Sequence, residues 1–136
     1  MNLTDKTSYR FRKKERLKSS RTISQLFQEG RSFGRYPLRL VWLSMDKEAV
    51  DIAPVQIAFS VPKKKFKSAV DRNRIKRQMR EAWRLNKHLL YEQIASRSFT
   101  YVFMIIYVGK QQVPYAEIAQ QTQQIIQKFV KVSLDG

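Results

Sequence analysis

The chain has 136 residues, with 27 Lys and Arg against 11 Asp and Glu and a formal net charge of +16. That length suits one domain, and an apolar fraction of 43% with 12% aromatics supports a packed core. The charge excess opposes compactness by self-repulsion and points to an anionic partner, nucleic acid first and a membrane surface second, while the lack of cysteine excludes disulfides and thiolate chemistry.

Met1 to Lys14 is polar and basic without periodicity, and reads as a flexible or irregularly docked arm. It lacks the apolar core of a signal peptide. The cluster Arg10 to Arg16 is either a solvated tail or a phosphate contact. The domain proper is set at 15–132, and 133–136 is read as a C-terminal tail. Ser19 or Ser20 is positioned to cap a helix over Ser20 to Glu29 that Gly30 closes. Its apolar positions Ile23, Leu26 and Phe27 form one stripe.

Arg39 to Ser44 reads as a strand. Val55 to Val61 alternates Val55, Ile57, Phe59 and Val61 with Gln56, Ala58 and Ser60, the pattern of a strand buried on one face. The short polar connection between these two strands predicts an antiparallel pair. A long helix follows over about Ala69 to Leu90. Phe99 to Val108, aromatic and β-branched throughout, reads as a central strand buried on both faces. It is too short to span a bilayer as a helix, so a soluble cytoplasmic protein with no membrane partner is expected. Tyr115 to Val130 is a terminal helix with Ile118, Ala119, Thr122, Ile125, Ile126 and Phe129 on one face. The order α-β-β-α-β-α makes an α+β sandwich, one small sheet with helices packed on it.

On a helical wheel the long helix separates into two arcs. Ile75, Met79, Ala82, Trp83, Asn86, Leu89 and Leu90 face the sheet. Lys76, Arg77, Arg80, Arg84 and Lys87 form an adjacent cationic stripe, joined by Asn73, with Arg72 at the border and Arg74 pointing elsewhere. Asp71 and Glu81 are the only acids on the helix, and neither neutralises the stripe by i,i+4 pairing. Aligned cations repel one another, so phosphate is expected to stabilise the free protein. Guanidinium groups bridge phosphate oxygens and stack on bases. Asn73 can hydrogen-bond a base edge, a ribose hydroxyl or a protein carbonyl. Against folded RNA, shape, phosphate and ribose contacts dominate.

The residues for chemistry are missing. His88 is the one histidine, read as a surface residue, and it has no partner for acid–base cleavage. The acids are scattered without two-metal spacing, and there is no glycine-rich phosphate loop. No catalytic residue is assigned to this chain, and whether it binds metal is not legible.

Phe59-Ser-Val-Pro-Lys-Lys64, Ala69-Val-Asp-Arg-Asn-Arg-Ile-Lys-Arg77 and Arg80-Glu-Ala-Trp83 closely resemble the protein subunit of bacterial ribonuclease P. Arg16-Leu17-Lys18, Phe27, Gly30 and the strand Tyr101 to Tyr107 match as well, so the resemblance runs from about Arg16 to Phe129. It implies a ribonucleoprotein endonuclease that removes the 5′ leader of precursor tRNA, with catalysis in the RNA subunit through RNA-bound magnesium. The implied partners are that RNA and precursor tRNA, with no obligate protein partner. A ribosomal or other structural-RNA-binding protein without a processing role is the alternative. The resemblance implies that Arg72, Asn73, Arg74, Lys76, Arg77, Arg80 and Arg84 face the catalytic RNA. It further implies a leader-binding cleft built from Ile23, Phe27, Ser60, Lys63 and Lys64, with Val41 or Trp42 from the first strand.

Three departures stand out. Ile23 replaces a phenylalanine common in the family, and an isoleucine makes apolar contact where an aromatic stacks on a base. Ala58 stands where glycine is frequent, and Lys65-Phe66-Lys67 lengthens its loop by about one residue. The resemblance also implies a left-handed β-α-β crossover, as in the second domain of ribosomal protein S5, against the general right-handed rule.

Overall fold

The computed structural model describes residues 9–46 and 53–134; the first eight residues of the expected N-terminal arm, most of the polar connection at 47–52 and the last two residues of the expected tail lie outside them. The elements run α1 (Ser20–Glu29), β1 (Arg31–Arg35), β2 (Leu38–Asp46), β3 (Val55–Ser60), α2 (Ala69–Ile94), β4 (Phe99–Tyr107) and α3 (Tyr115–Val132), after a short 3-10 turn at Lys13–Glu15. Ser19 caps α1 by accepting from the Thr22 amide at 3.2 Å, and Ser68 caps α2 by accepting from that of Asp71 at 3.4 Å.

The four strands form one mixed sheet in the order β1-β2-β4-β3. The architecture is α+β as expected, with one strand more than the sequence suggested. Strand β1 pairs with β2 in an antiparallel hairpin, from Arg31 opposite Trp42 to Arg35 opposite Leu38, closed by Tyr36 and a cis Pro37. The expected antiparallel pairing of the Arg39 and Val55 strands does not occur. Strand β4 lies between them, antiparallel to β2 and parallel to β3. Its side chains from Thr100 to Ile105 are all buried. A strand apolar on both faces is best covered at the centre of a sheet, and that preference outweighs the short connection between β2 and β3.

Alternation along the strands divides the core in two. Leu40 and Trp42 of β2, Ile57 of β3, and Tyr101, Phe103 and Ile105 of β4 face α2 and α3. Phe129 of α3 meets Trp42, Tyr101 and Phe103 edge to face, with ring centroids 5.0, 5.0 and 4.8 Å away. On the other face Val41, Val102 and Met104 pack with Leu17 and Leu26, while Ile23, Ala58 and Ile106 are only partly covered. Helix α1 therefore leaves part of that face open.

Gly30 closes α1 as expected, but not through a left-handed conformation. Its φ is −71°, and an added Cβ would sit 2.3 Å from the Leu26 carbonyl oxygen and 3.0 Å from that of Trp42. Glycine is required there because two backbones approach closely. Gly30→Ala is expected to lower stability by about 1–3 kcal/mol, as overpacking does, read as a reduced urea midpoint at unchanged m-value.

Candidate nucleic-acid interface

Helix α2 buries Ile75, Met79, Ala82, Trp83, Asn86, Leu90 and Ile94 against the sheet and α3. Trp83 meets Phe103 edge to face at 5.7 Å. Asn86 is satisfied inside, donating to the Ala82 carbonyl at 2.8 Å and accepting from Gln123 at 3.0 Å. The wheel placed Leu89 on this face, but it is 41% exposed. Lys87, assigned to the cationic stripe, is only 2% exposed.

The reason lies in the segment preceding α1. Glu15 is buried too, and its carboxylate accepts from Lys87 Nζ at 2.6 Å. Lys87 also donates to the Arg10 carbonyl. Arg84 donates to Glu81 at 2.6 Å and to the Tyr9 carbonyl at 3.2 Å. The hydrogen bond to Arg84 holds the Glu81 carboxyl below, and in return the Arg84 guanidinium above, its ordinary pKa. That i,i+3 pair supplies a neutralisation that an i,i+4 search missed. Phe11 rests edge to face on Phe59 at 6.3 Å, and the Leu17 amide donates to the Ile57 carbonyl at 2.9 Å. Residues 9–17 thus form a docked strap running from α2 to the outer edge of β3. His88 is half-buried beneath it, its ring edge to face with Tyr9 at 5.5 Å, rather than a surface residue. Tyr91 sits in the same place, and burial raises its pKa above the ordinary tyrosine range.

The amino-terminal half of α2 is different. Asn73, Arg74, Arg77 and Arg80 are exposed, and Lys76 is half-buried beside them. Arg72 is half-buried and donates to the carbonyls of Phe66 and Lys67 at 2.7 and 2.9 Å. It pins the turn between β3 and α2. Phe66 anchors the same turn on Tyr107 at 5.6 Å, and Lys65 donates to the Val108 carbonyl at 2.7 Å. Lys63, Lys64 and Lys67 are left exposed around that anchor.

The expected cleft residues are placed unequally. Ile23 packs at the edge of the partly open sheet face, and Phe27, one helical turn further on, is 53% exposed. Val41 belongs to that face. Ser60 shares it through alternation with Ala58. Trp42 does not: it is 2% exposed on the opposite face, against Phe129, with the Arg31 guanidinium 4.8 Å from its ring centroid. Of the two, strand parity puts only Val41 on the face with Ile23 and Ala58.

Among the described residues no three His, Asp or Glu side chains come together as a metal site, and no helix is long and apolar enough to cross a membrane. The arrangement offers cations, hydrogen-bond donors and apolar surface, the groups that hold a polyanion.

Comparison with known proteins agrees with that character. The Ribonuclease P family model matches residues 11–130. A curated ribonuclease P protein component from Porphyromonas gingivalis is 40% identical over 106 residues, covering 76% of each chain. One from Chlorobaculum tepidum is 39% identical over 94 residues, 68% of this chain and 61% of the relative. Two solved structures share the fold at 21% identity: the RNase P proteins of Thermotoga maritima (TM-score 0.64, covering 84% of this chain and 96% of that one) and Staphylococcus aureus (TM-score 0.62, covering 87% and 96%).

The structure separates Arg72, which the wheel set at the border of the two arcs, from Arg77 in the cationic stripe. Arg72→Ala is expected to cost about 1–3 kcal/mol in urea unfolding, because two carbonyls lose their donor. Arg77→Ala is expected to stay within about 0.5 kcal/mol of the parent, as exposed substitutions do.

Proposed function

The chain belongs to the ribonuclease P protein family, and from that premise we propose that it braces a catalytic RNA through the amino-terminal half of α2 and holds the 5′ leader of precursor tRNA on the partly open sheet face. The observation that carries this reading is the stripe of Asn73, Arg74, Arg77 and Arg80, exposed along one stretch of a helix whose other side is fixed in the core. Arg84 is tied to Glu81 and the strap, so the contact with RNA ends at about Arg80. Precursor leader is single-stranded and flexible; apolar contact from Ile23, Phe27 and Val41 with charge from Lys63 and Lys64 suits such a strand.

In this reading the chain contributes binding and orientation to 5′ maturation of tRNA. The bond-breaking step and its magnesium belong to the RNA subunit. The protein's cations lower the repulsion between two polyanions, the catalytic RNA and its substrate, and so reduce the magnesium needed to bring them together.

Adding purified protein to its catalytic RNA at low magnesium is expected to restore leader removal; no stimulation contradicts the proposal. Arg77→Ala with Arg80→Ala is expected to weaken assembly and flatten the dependence of log Kd on log salt by roughly one unit per lost phosphate contact. A slope equal to the parent's means that this stripe faces solvent in the complex.

A further inference from the structure

A cavity of about 290 Å³ opens over the outer edge of β3, beside Leu17 and Ala58 of one core cluster and Ile57 and Phe59 of the other. Its cations come from two sources: Arg16 from the strap with Lys18 just beyond its end, and Lys76 and Arg80 from α2. Phe11 and Phe59 supply aromatic wall, and no acid lines it. The Arg16 guanidinium lies 5.4 Å from the Phe11 ring centroid, so the aromatic pair also orients a cation.

We propose that this cavity is a phosphodiester-binding pocket assembled from two halves, and that the buried Glu15–Lys87 ion pair is the clasp that sets the strap half against α2. The proposal rests on the RNA-facing role of α2 and adds a site to it. Four cations around a small cavity with no acid among them repel one another, and an anionic oxygen cluster relieves that repulsion. A phosphodiester is small enough to enter and carries the charge, and its neighbouring base or ribose can rest on the aromatic wall.

The clasp is the buried ionic part of what fixes the strap half; Phe11 on Phe59, the Leu17 amide on the Ile57 carbonyl, and the Arg84 and Gln56 bonds to the Tyr9 and Lys14 carbonyls hold it elsewhere. The turn at Lys13–Glu15 is a single 3-10 turn, and its registration on β3 is a bridge between Arg16 and Ile57. Glu15 at 5% and Lys87 at 2% exposure bring a charged pair into the interior, which adds little net stability but fixes position. With the pair intact, Arg16 and Lys18 stand across the cavity from Lys76 and Arg80. Without it, the strap cations remain on the chain but no longer converge on one anion. Glu15 and Lys87 are positioning residues that touch no ligand.

The test uses the full chain and a uridylate homopolymer, so its outcome does not depend on leader processing. Glu15→Gln with Lys87→Met removes both charges at similar volume and leaves no lone buried ion. This variant is expected to keep its helical circular dichroism, to be cut by trypsin at least about tenfold faster after Lys13, Lys14 or Arg16 as the strap opens, and to lose about 0.7 units of salt slope, one phosphate contact on a single strand. Arg16→Ala with Lys18→Ala is expected to cost the same slope in the parent and nothing further in the clasp-free chain. Equal losses in both backgrounds, or a clasp-free chain with the parent's slope, overturn the proposal. Should the clasp-free chain fail to fold, the cycle between Arg16→Ala/Lys18→Ala and Lys76→Ala/Arg80→Ala decides. One shared pocket gives strongly non-additive affinity losses, and additive losses overturn it. A chain that passes these tests yet fails to stimulate its catalytic RNA keeps the pocket and loses the processing role.

Discussion

The packing of one side of α2 against the sheet sets the terms for everything else. Ile75, Met79, Trp83, Leu90 and Ile94 are at most 3% exposed, and burying such large side chains is worth roughly 1.5–3 kcal/mol each. That fixes the rotation of a 26-residue helix about its own axis. Once the rotation is fixed, the residues between the buried ones have no choice of direction. Asn73, Arg74, Arg77 and Arg80 must lie in water, and Arg84 and Lys87 must lie where the strap crosses. The direction of these exposed cations is a consequence of core packing, set by buried side chains.

The same rotation divides one run of cations into two uses. Near the carboxyl end of α2, Lys87 and Arg84 meet Glu15, Glu81 and the carbonyls of Tyr9 and Arg10, and hold the chain together. Near the amino end the exposed arginines face no acid on their own helix beyond Asp71. Such an arrangement concentrates uncompensated charge at one end of the molecule. It adjoins the loop that presents Lys63, Lys64 and Lys67. The carboxyl end of α2 and the glutamine-rich outer side of α3 carry far less charge and serve as scaffold.

Much of this was legible before any coordinates. Helix α1 followed from a capping serine and spacing, α2 from its apolar spacing alone, and the central place of β4 from its continuous apolar run. Strand β1 escaped notice because Arg31-Ser-Phe-Gly-Arg35 has one large apolar residue between charges and a glycine; pairing with β2, not its own propensity, makes it a strand. The β2–β3 neighbour rule failed because sequence proximity carries less weight than covering both faces of β4. Parity could have excluded Trp42, since Leu40 and Trp42 share a face, but only after the covered side of β2 was known. Lys87 was misplaced for a different reason. Its partner Glu15 is 72 residues away, and no local pattern marks an ion pair of that separation.

The central claim is that α2 carries two classes of arginine, one open to RNA and one engaged in the fold. Phenylglyoxal labelling of the free protein and of its complex with the catalytic RNA, read by peptide mass, addresses it residue by residue. The account predicts that Arg74, Arg77 and Arg80 react in the free protein and are protected in the complex, while Arg84 reacts slowly in both. Undiminished reaction of Arg77 and Arg80 at saturating RNA, or rapid reaction of Arg84 in the free protein, would contradict it.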